Sequence, residues 1–339
     1  MKLQKFNTFS HDIIFVDGLW GTGKSIIAPI VSGMQGVEIQ KISYIFEYLC
    51  ILQHLGKLES DAAVAMLQTY SDMHQYDNLV GREVNFRWGD DSGPINNPGA
   101  LRYLRRMFGP EGDVVVERIN AENLALQIMS HMILLVAEPL RQSFGDRLKL
   151  IEIVRHPVYM VQHCLAYLSR FGGPREFTVS FDVEGRKLPW FAAEWHEEYL
   201  AISEVDRVIA SIVRLYERLF QAIDRMRQEG LSLLVTSFER IALDPQPVLI
   251  ELQQFLGRGH HPHLKQILRR QRLPRQRITH GRGKTAYGWQ VVTDASEREE
   301  YKKQMAWIRA SCSSHYLSAF AKTIEEYNRR WPSVLSQFV

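Results

Sequence analysis

A glycine-rich stretch near the start of the chain limits the possible folds more than any other feature. Residues 13–16 form an apolar run that predicts a buried strand, and residues 18–25 fit the pattern G-x-x-x-x-G-K-[ST] in full. Such a loop points backbone N–H groups at a phosphate, and the helix that follows adds positive potential. The pattern predicts a phosphate site in which Lys24 reaches the outer phosphates and Ser25 binds Mg²⁺ or a phosphate oxygen. The loop residues of this site are Gly18, Gly21, Thr22, Gly23, Lys24 and Ser25.

The composition is typical of an ordinary globular protein and gives no indication of a nucleic-acid partner. The 339 residues are 45% hydrophobic, enough for a packed core, and we expect a single α/β domain over 1–339. Within it, residues 41–99 predict a helical and loop insertion, and residues 290–339 predict C-terminal helices. A net charge of +3 is too small to indicate a nucleic-acid partner.

The cysteines and the apolar runs bear on the cellular compartment of the protein. Cys50, Cys164 and Cys312 stand far apart, so their spacing indicates neither a disulfide framework nor a zinc site. Because unpaired cysteines are typical of the reducing cytoplasm, we expect a cytoplasmic protein. No apolar run is long enough to predict a membrane span.

Two later stretches predict further strands of a parallel sheet. A β-branched run bounded by turn residues predicts a strand over residues 112–120, and residues 148–154 predict another that ends at Arg155. Because ligands of open α/β sheets lie outside the carboxyl ends of the strands, Glu117, Arg118 and Arg155 are expected to face the phosphate loop. Glu117 would accept the proton of an attacking hydroxyl, and Arg118 would neutralise the transferred group. The alternative for this pair is a salt bridge at the rim of the sheet.

The order of motifs resembles that of the sulfotransferases that use 3′-phosphoadenosine 5′-phosphosulfate (PAPS). The phosphate loop is followed by a strand, Arg155-x-Pro157 and a helix, and then by L-V-T-S-F-E-R-I-x-x-D-P at 234–245 and F-L-G at 255–257. The basic glycine loop at 281–289 is similar to the one that closes on the nucleotide's 3′-phosphate in that family. The resemblance leaves the insertion at 41–99 unmatched.

This resemblance implies a P-loop-containing three-layer α/β/α fold around a central, mainly parallel sheet. It also implies sulfuryl transfer from PAPS to a hydroxyl or amine of a small molecule or glycan, without a metal. Glu117 would be the base, and Lys24 and Arg118 would stabilise the bridging oxygen. His163 stands where the family has a serine, eight residues after the arginine. The residues implied to hold the 3′-phosphate are Arg155, His163, Arg282, Gly283 and Lys284.

The phosphate loop departs from the sulfotransferase pattern. That loop usually reads K-S-G-T-T, and aligning its glycine with Gly23 puts Gly21 in the place of the family's lysine. The family's catalytic histidine is also replaced, at the end of the second predicted long strand, by the Glu117-Arg118 pair. Some members of the family use glutamate as the base.

Two other functions therefore stay open. The loop and the acidic–basic pair are similar to deoxynucleoside-kinase-like enzymes, in which ATP is the donor and Ser25 with Asp17 or Glu117 would position Mg²⁺. A nucleotide-binding regulatory protein without transferase activity is the third possibility. The C-terminal motifs favour the sulfotransferase interpretation, because they are not a feature of kinases generally.

Two further segments are rich in one residue type. Residues 269–277 are dense in arginine and contain no acid, which predicts a site for the nucleotide or for a polyanionic acceptor. A solvated helix face or an RNA-contacting patch is the competing interpretation. Residues 260–263 contain three histidines, but no carboxylate or cysteine follows at ligand spacing, so a surface loop is favoured over a metal site.

Overall fold

Five parallel strands form the central sheet of the computed structural model, which describes residues 1–97, 99–279 and 296–337. The strands are β1 (Ile13–Asp17), β2 (Lys41–Ile42), β3 (Leu126–Met129), β4 (Leu148–Val154) and β7 (Leu233–Ser237). Their order across the sheet is β2-β3-β1-β4-β7. A separate antiparallel hairpin consists of β5 (Ser180–Val183) and β6 (Arg186–Pro189). Because β1 is the central strand, the loop that follows it opens between the carboxyl ends of β3 and β4.

Helices cover both faces of this sheet. Alternate residues of β1 enter two separate apolar clusters, with Ile13 and Phe15 in one and Ile14 and Val16 in the other. This division confirms the expected three-layer α/β/α fold, because a parallel strand is buried on both faces. The helices are α1 (Lys24–Ser32), α2 (Tyr44–His54), α3 (Ser60–Val80), α4 (Ala100–Arg106), α5 (Asp113–Glu122), α6 (Glu138–Phe144), α7 (Pro157–Leu168), α8 (His196–Ala201), α9 (Glu204–Gln228), α10 (Phe238–Leu243), α11 (Pro245–Leu256), α12 (Leu264–Arg270), α13 (Glu297–Ser311) and α14 (Ser314–Arg330).

Several predicted elements are confirmed. Strand β4 covers residues 148–154, and Pro157 is the first residue of α7, where its missing N–H is tolerated. Helix α11 ends at Gly257, whose φ of 63° is the left-handed conformation that favours glycine. Helices α2 and α3 lie within residues 41–99, and α13 and α14 lie in the described part of residues 290–339. The division of the chain into a domain with an insertion stays a prediction. None of the helices in the described ranges has the length and apolar character needed to cross a membrane.

The predicted strand over residues 112–120 is wrong, because this segment forms helix α5. Val115 and Ile119 lie four residues apart and are buried together against Leu79 and Val80 of α3. This spacing places them on one helical face, so packing on α3 outweighs the β-branched composition. The strand next to β1 on this side is β3.

A buried ion pair fixes α4 to the chain that leads into β2. Arg106 donates hydrogen bonds of 2.7 and 2.8 Å to the two carboxylate oxygens of Glu38, and the Tyr103 hydroxyl donates to the same carboxylate at 2.8 Å. Burial would raise the pKa of Glu38, but the hydrogen bonds and charge of Arg106 outweigh burial and lower it to about 2. The carboxylate therefore stays ionised inside the protein.

Substituting Glu38→Gln is expected to lower the free energy of unfolding by about 3–5 kcal/mol, because it leaves the buried Arg106 charge uncompensated. The wild type should lose this contribution only as the pH falls from the ordinary pKa of 4.5 towards about 2, since the folded-state pKa is depressed. Urea unfolding across this pH range measures both effects. Glu122→Gln, which breaks an exposed pair with Arg118 on α5, is the matched control and should change stability by less than about 1 kcal/mol.

Candidate functional site

The glycine loop joins β1 to α1 in the predicted order, and Lys24 is the first residue of the helix. Gly21 and Gly23 have φ values of 75° and 96°, which side chains rarely adopt. A Cβ on Gly21 would lie 2.5 Å from the His163 ring, and one on Gly23 would lie 2.4 Å from the Phe238 ring. The glycines therefore allow α7 and α10 to close around the loop.

Lys24 lies beneath this loop. Its ammonium donates 2.8 Å hydrogen bonds to the carbonyls of Gly18 and Leu19, and only 5% of the residue is exposed. Burial lowers the pKa of Lys24 to about 8, against the opposing charges of Asp17 and two glutamates. The hydroxyl of Thr22 donates to Leu19 O at 2.9 Å, and Ser25 is half-buried in the first turn of α1. A desolvated cation at this position interacts strongly with an anion in the loop.

Two buried carboxylates brace the strands on either side of the loop. Asp17 accepts from the Ser130 hydroxyl at 3.0 Å and from the Leu134 N–H at 2.8 Å, so it connects the ends of β1 and β3. Glu152 stands opposite Asp17 in the β1–β4 register. Burial, followed by the charge of Asp17, raises the pKa of Glu152 well above its ordinary value. The burial of Glu152 thus works against its ionisation.

Arg155 follows β4 and reaches the loop, where its Nη1 donates to Gly21 O at 2.7 Å. The turn that carries it is held by Glu239, which accepts from the His156 N–H at 2.9 Å and from the Tyr327 hydroxyl at 2.7 Å. The Tyr216 hydroxyl also donates to Arg155 O. The acidic residue of the F-E motif at 238–239 thus positions Arg155.

A second arginine joins Arg155 on the ring of Phe238. The guanidinium carbons of Arg155 and Arg275 lie 4.4 and 5.5 Å from the centre of this ring. Both Nε atoms are buried without a hydrogen-bond partner, and in the described part of the chain neither guanidinium forms an ion pair. Burial, followed by the charges of Arg155 and Arg272, lowers the pKa of Arg275 to about 10. Glu239 is the main opposing charge for Arg155. The two guanidinium groups beside the loop are a candidate subsite for an anion.

His163 packs its ring against Gly21 on the same side of the loop. Burial, followed by the charges of Arg155 and Lys24, lowers the pKa of His163 to about 4. The neutral ring has one N–H that can donate to a phosphate oxygen. The structure therefore brings Lys24, Arg155 and His163 together as the sequence predicts, and adds Arg275 from the arginine-rich segment.

Glu117 and Arg118 do not stand at the end of a strand. Both are exposed on α5, whose buried face is formed by Val115 and Ile119, and the Arg118 Nε donates to Glu122 at 2.8 Å. The expectation that this pair follows a strand and faces the phosphate loop is wrong, because it depended on that strand. Arg282, Gly283 and Lys284 lie outside the described residues.

A histidine that the sequence analysis missed follows the strand beside the loop. His131 comes two residues after the end of β3, and Glu47 Oε1 accepts from its backbone N–H at 3.0 Å and lies 3.2 Å from its Nδ1. Its ring is parallel to that of Tyr44, with 6.0 Å between the ring centres. The signal in the sequence is the Ser130-His131 pair at the end of an apolar run. His131 is 23% exposed, so its imidazole is accessible.

The histidines at 260–263 are half-exposed or exposed, in accord with a surface loop. Over residues 1–97, 99–279 and 296–337, no group of three or more histidine, cysteine, aspartate or glutamate side chains is placed to hold a metal ion. Cys50, Cys164 and Cys312 are free thiols.

Comparison with known proteins finds solved structures that are similar to this chain. No protein-family model matches the sequence, and no curated protein matches it either. The chain is similar to a sulfotransferase domain of the curacin biosynthetic pathway, with 12% identity, a TM-score of 0.41 and coverage of 88% of this chain and 99% of that one. A sulfotransferase from Alicyclobacillus acidocaldarius has 15% identity and a TM-score of 0.35, with coverage of 90% of this chain and 96% of that one.

A third similar structure is retinol dehydratase in complex with androsterone and the inactive cofactor PAP. It has 12% identity and a TM-score of 0.36, with coverage of 95% of this chain and 82% of that one.

Proposed function

We propose that this protein transfers a sulfuryl group from PAPS to a hydroxyl or amine of an acceptor molecule. The observation that carries the proposal is the pair of guanidinium groups, those of Arg155 and Arg275, on the Phe238 ring beside the glycine loop. A nucleotide with phosphate groups at both its 5′ and 3′ positions needs two separate anion sites. The loop and this arginine pair supply them.

The residues present fit such a donor. The glycine cradle, which added Cβ atoms would fill, is suited to the 5′-phosphosulfate, with Lys24 beneath it. Arg155, Arg275 and His163 would hold the 3′-phosphate, since both guanidinium groups lie on the Phe238 ring beside the loop and the His163 ring packs against Gly21. Arg282, Gly283 and Lys284 stay in the proposal as further 3′-phosphate ligands.

His131 is proposed as the general base in place of Glu117. Because Glu47 lies beside its Nδ1, the proton of the neutral ring is favoured at Nδ1 and the lone pair is on Nε2. Nε2 would take the proton of the acceptor hydroxyl, and Glu47 would stabilise the imidazolium. PAPS supplies the sulfuryl group and leaves as adenosine 3′,5′-bisphosphate. Lys24 would neutralise the negative charge that develops on the bridging oxygen.

A kinase that uses ATP with Mg²⁺ is the second candidate. It is favoured by the G-x-x-x-x-G-K-S loop, with Ser25 at the start of α1 and Asp17 at the end of β1. Against it, both Asp17 oxygens already accept hydrogen bonds, and burial raises the pKa of Glu152. A regulatory nucleotide-binding protein without transferase activity is a third possibility.

A thermal-shift titration with adenosine 3′,5′-bisphosphate and with ATP, each with and without Mg²⁺, tests the donor. A ligand at 100 times its Kd adds about 2.7 kcal/mol to the stability of the folded state. We expect the 3′,5′-bisphosphate to raise the melting temperature independently of Mg²⁺. Stabilisation by ATP with Mg²⁺ alone would contradict the sulfotransferase proposal and favour the kinase.

A further inference from the structure

A cavity of about 460 Å³ lies at the carboxyl end of β2, and its volume is within the range of small-molecule sites. The residues that line it include Ser43, His74 and Glu83. We call this space the β2 cavity. The transfer reaction proposed above uses none of these three side chains, so the cavity is a second candidate site.

Hydrogen bonds connect these three side chains in a row. The Ser43 hydroxyl lies 3.0 Å from His74 Nε2, and His74 Nδ1 lies 2.8 Å from Glu83 Oε2. Because an ionised carboxylate only accepts, it holds the proton of the neutral imidazole on Nδ1, and Nε2 accepts from the Ser43 hydroxyl. A serine on one nitrogen of a histidine and a carboxylate on the other is the arrangement that activates serine as a nucleophile.

The local structure explains how the three residues meet. Ser43 stands between β2 and α2 as the N-cap residue, and among the described residues its hydroxyl is bonded to His74 rather than to the N–H groups of the first turn. Helix α3 carries His74 and ends at Gly81, whose left-handed φ of 77° turns the chain so that Glu83 returns to His74. The start of α2 adds positive potential beside Ser43, which would stabilise an oxyanion formed there.

Lys41 helps to keep the carboxylate of this group ionised. The hydrogen bond from His74 is the main cause that lowers the pKa of Glu83 to about 2; burial opposes it, and the bond from the Lys41 ammonium reinforces it. An ionised Glu83 stabilises the imidazolium that forms when His74 takes a proton.

A second serine–histidine pair, Ser71 and His11, lacks this arrangement. His11 Nε2 lies 3.2 Å from the Ser71 hydroxyl, but within the described residues the buried His11 Nδ1 has no hydrogen-bond partner. Ser71 is only 1% exposed, whereas Ser43 is partly exposed and lines a cavity. A reagent in solution can therefore reach Ser43 but not Ser71.

The other residues of the wall limit which substrates fit. Among the described residues that line the cavity, the charged side chains are Lys41, Glu83 and Asp90, two carboxylates against one ammonium. This excess of negative charge disfavours an anionic substrate. Ile42 and Val84 supply apolar surface for a short acyl chain.

We propose that the β2 cavity is an esterase site in which Ser43 attacks a short, uncharged carboxylic ester. Ser43 Oγ forms a bond to the carbonyl carbon while its proton passes to His74 Nε2. The C–O bond of the ester then breaks, and the leaving alkoxide takes this proton and departs as an alcohol. Water attacks the resulting acyl ester of Ser43 and gives its proton to His74, which returns it to Ser43 Oγ as the carboxylic acid leaves. This activity goes beyond sulfuryl transfer and needs no PAPS.

Reaction of the full chain with a fluorophosphonate tests the nucleophile. The serine oxygen displaces fluoride from phosphorus, and peptide mass spectrometry locates the added phosphonyl group. We expect the label on Ser43 in the wild type. His74→Asn should slow this labelling by about 10²-fold or more, because it removes the base. Ser169→Ala and His315→Asn, at exposed positions on other elements, are the matched controls and should leave the rate unchanged.

Hydrolysis of p-nitrophenyl acetate measures turnover with the same variants. Ser43→Ala and His74→Asn should each lower kcat/KM by about 10²-fold or more, and an ester that carries a carboxylate, p-nitrophenyl succinate, should react about tenfold more slowly than the acetate. Absence of a label on Ser43, equal hydrolysis by Ser43→Ala and Ser169→Ala, or faster reaction of the succinate would each overturn the assignment. The affinity for adenosine 3′,5′-bisphosphate reports whether each variant is folded.

Discussion

Replacing Arg275 with alanine is expected to weaken the binding of adenosine 3′,5′-bisphosphate by about 10- to 100-fold, the effect of losing a hydrogen bond to a charged group. Arg275 lies on the Phe238 ring beside Arg155 and has no ion pair among the residues that the structure describes. Its charge is therefore available to the 3′-phosphate. Adenosine 5′-phosphate lacks that group, so its affinity should change much less. Isothermal titration calorimetry with both nucleotides measures the difference.

Arg269→Ala provides the control for this experiment. Arg269 belongs to the same arginine-rich segment but is exposed on α12. It should keep wild-type affinity for both nucleotides. If Arg275→Ala lost the same affinity for both nucleotides, this arginine would not contact the 3′-phosphate. The proposed second anion site would then be wrong.

Substituting His131→Asn is expected to lower the rate of transfer by about 10²- to 10⁴-fold, the usual contribution of a general base. Asparagine can still contact Glu47 but cannot accept a proton. The affinity for adenosine 3′,5′-bisphosphate should stay at the wild-type value, because His131 follows β3 and the proposed 3′-phosphate ligands follow β4 and α12. Single-turnover transfer from PAPS, measured beside nucleotide binding, separates the two effects.

Glu117→Gln serves as the comparison, because the sequence interpretation made Glu117 the base. The structure places this residue on the exposed side of α5, so its substitution should leave the rate unchanged. If His131→Asn retained full turnover while Glu117→Gln lost it, the assignment of the base to His131 would be refuted.

The phosphate-loop architecture could be predicted because its information is local. An apolar run, glycines at fixed spacing and a following helix all lie within residues 13–25, and the structure has β1, the loop and α1 in this order. Strand β4 and the arginine that follows it were also predicted, since a continuous apolar run ends there at Arg155. The identity of the transferred group, sulfuryl or phosphoryl, stays a prediction.

Tertiary contacts decided the rest of the candidate site. A β-branched run at 114–116 is compatible with a strand or a helix, and the packing of Val115 and Ile119 on α3 selects the helix. With that strand misplaced, the end of β3 and His131 could not be found. Arg155 and Arg275 are 120 positions apart in sequence, and the order of strands and the ring of Phe238 bring them together. Sequence alone thus determined the phosphate loop, because its geometry depends on neighbouring residues. Only the tertiary structure placed His131 and Arg275, because their positions depend on contacts between distant segments.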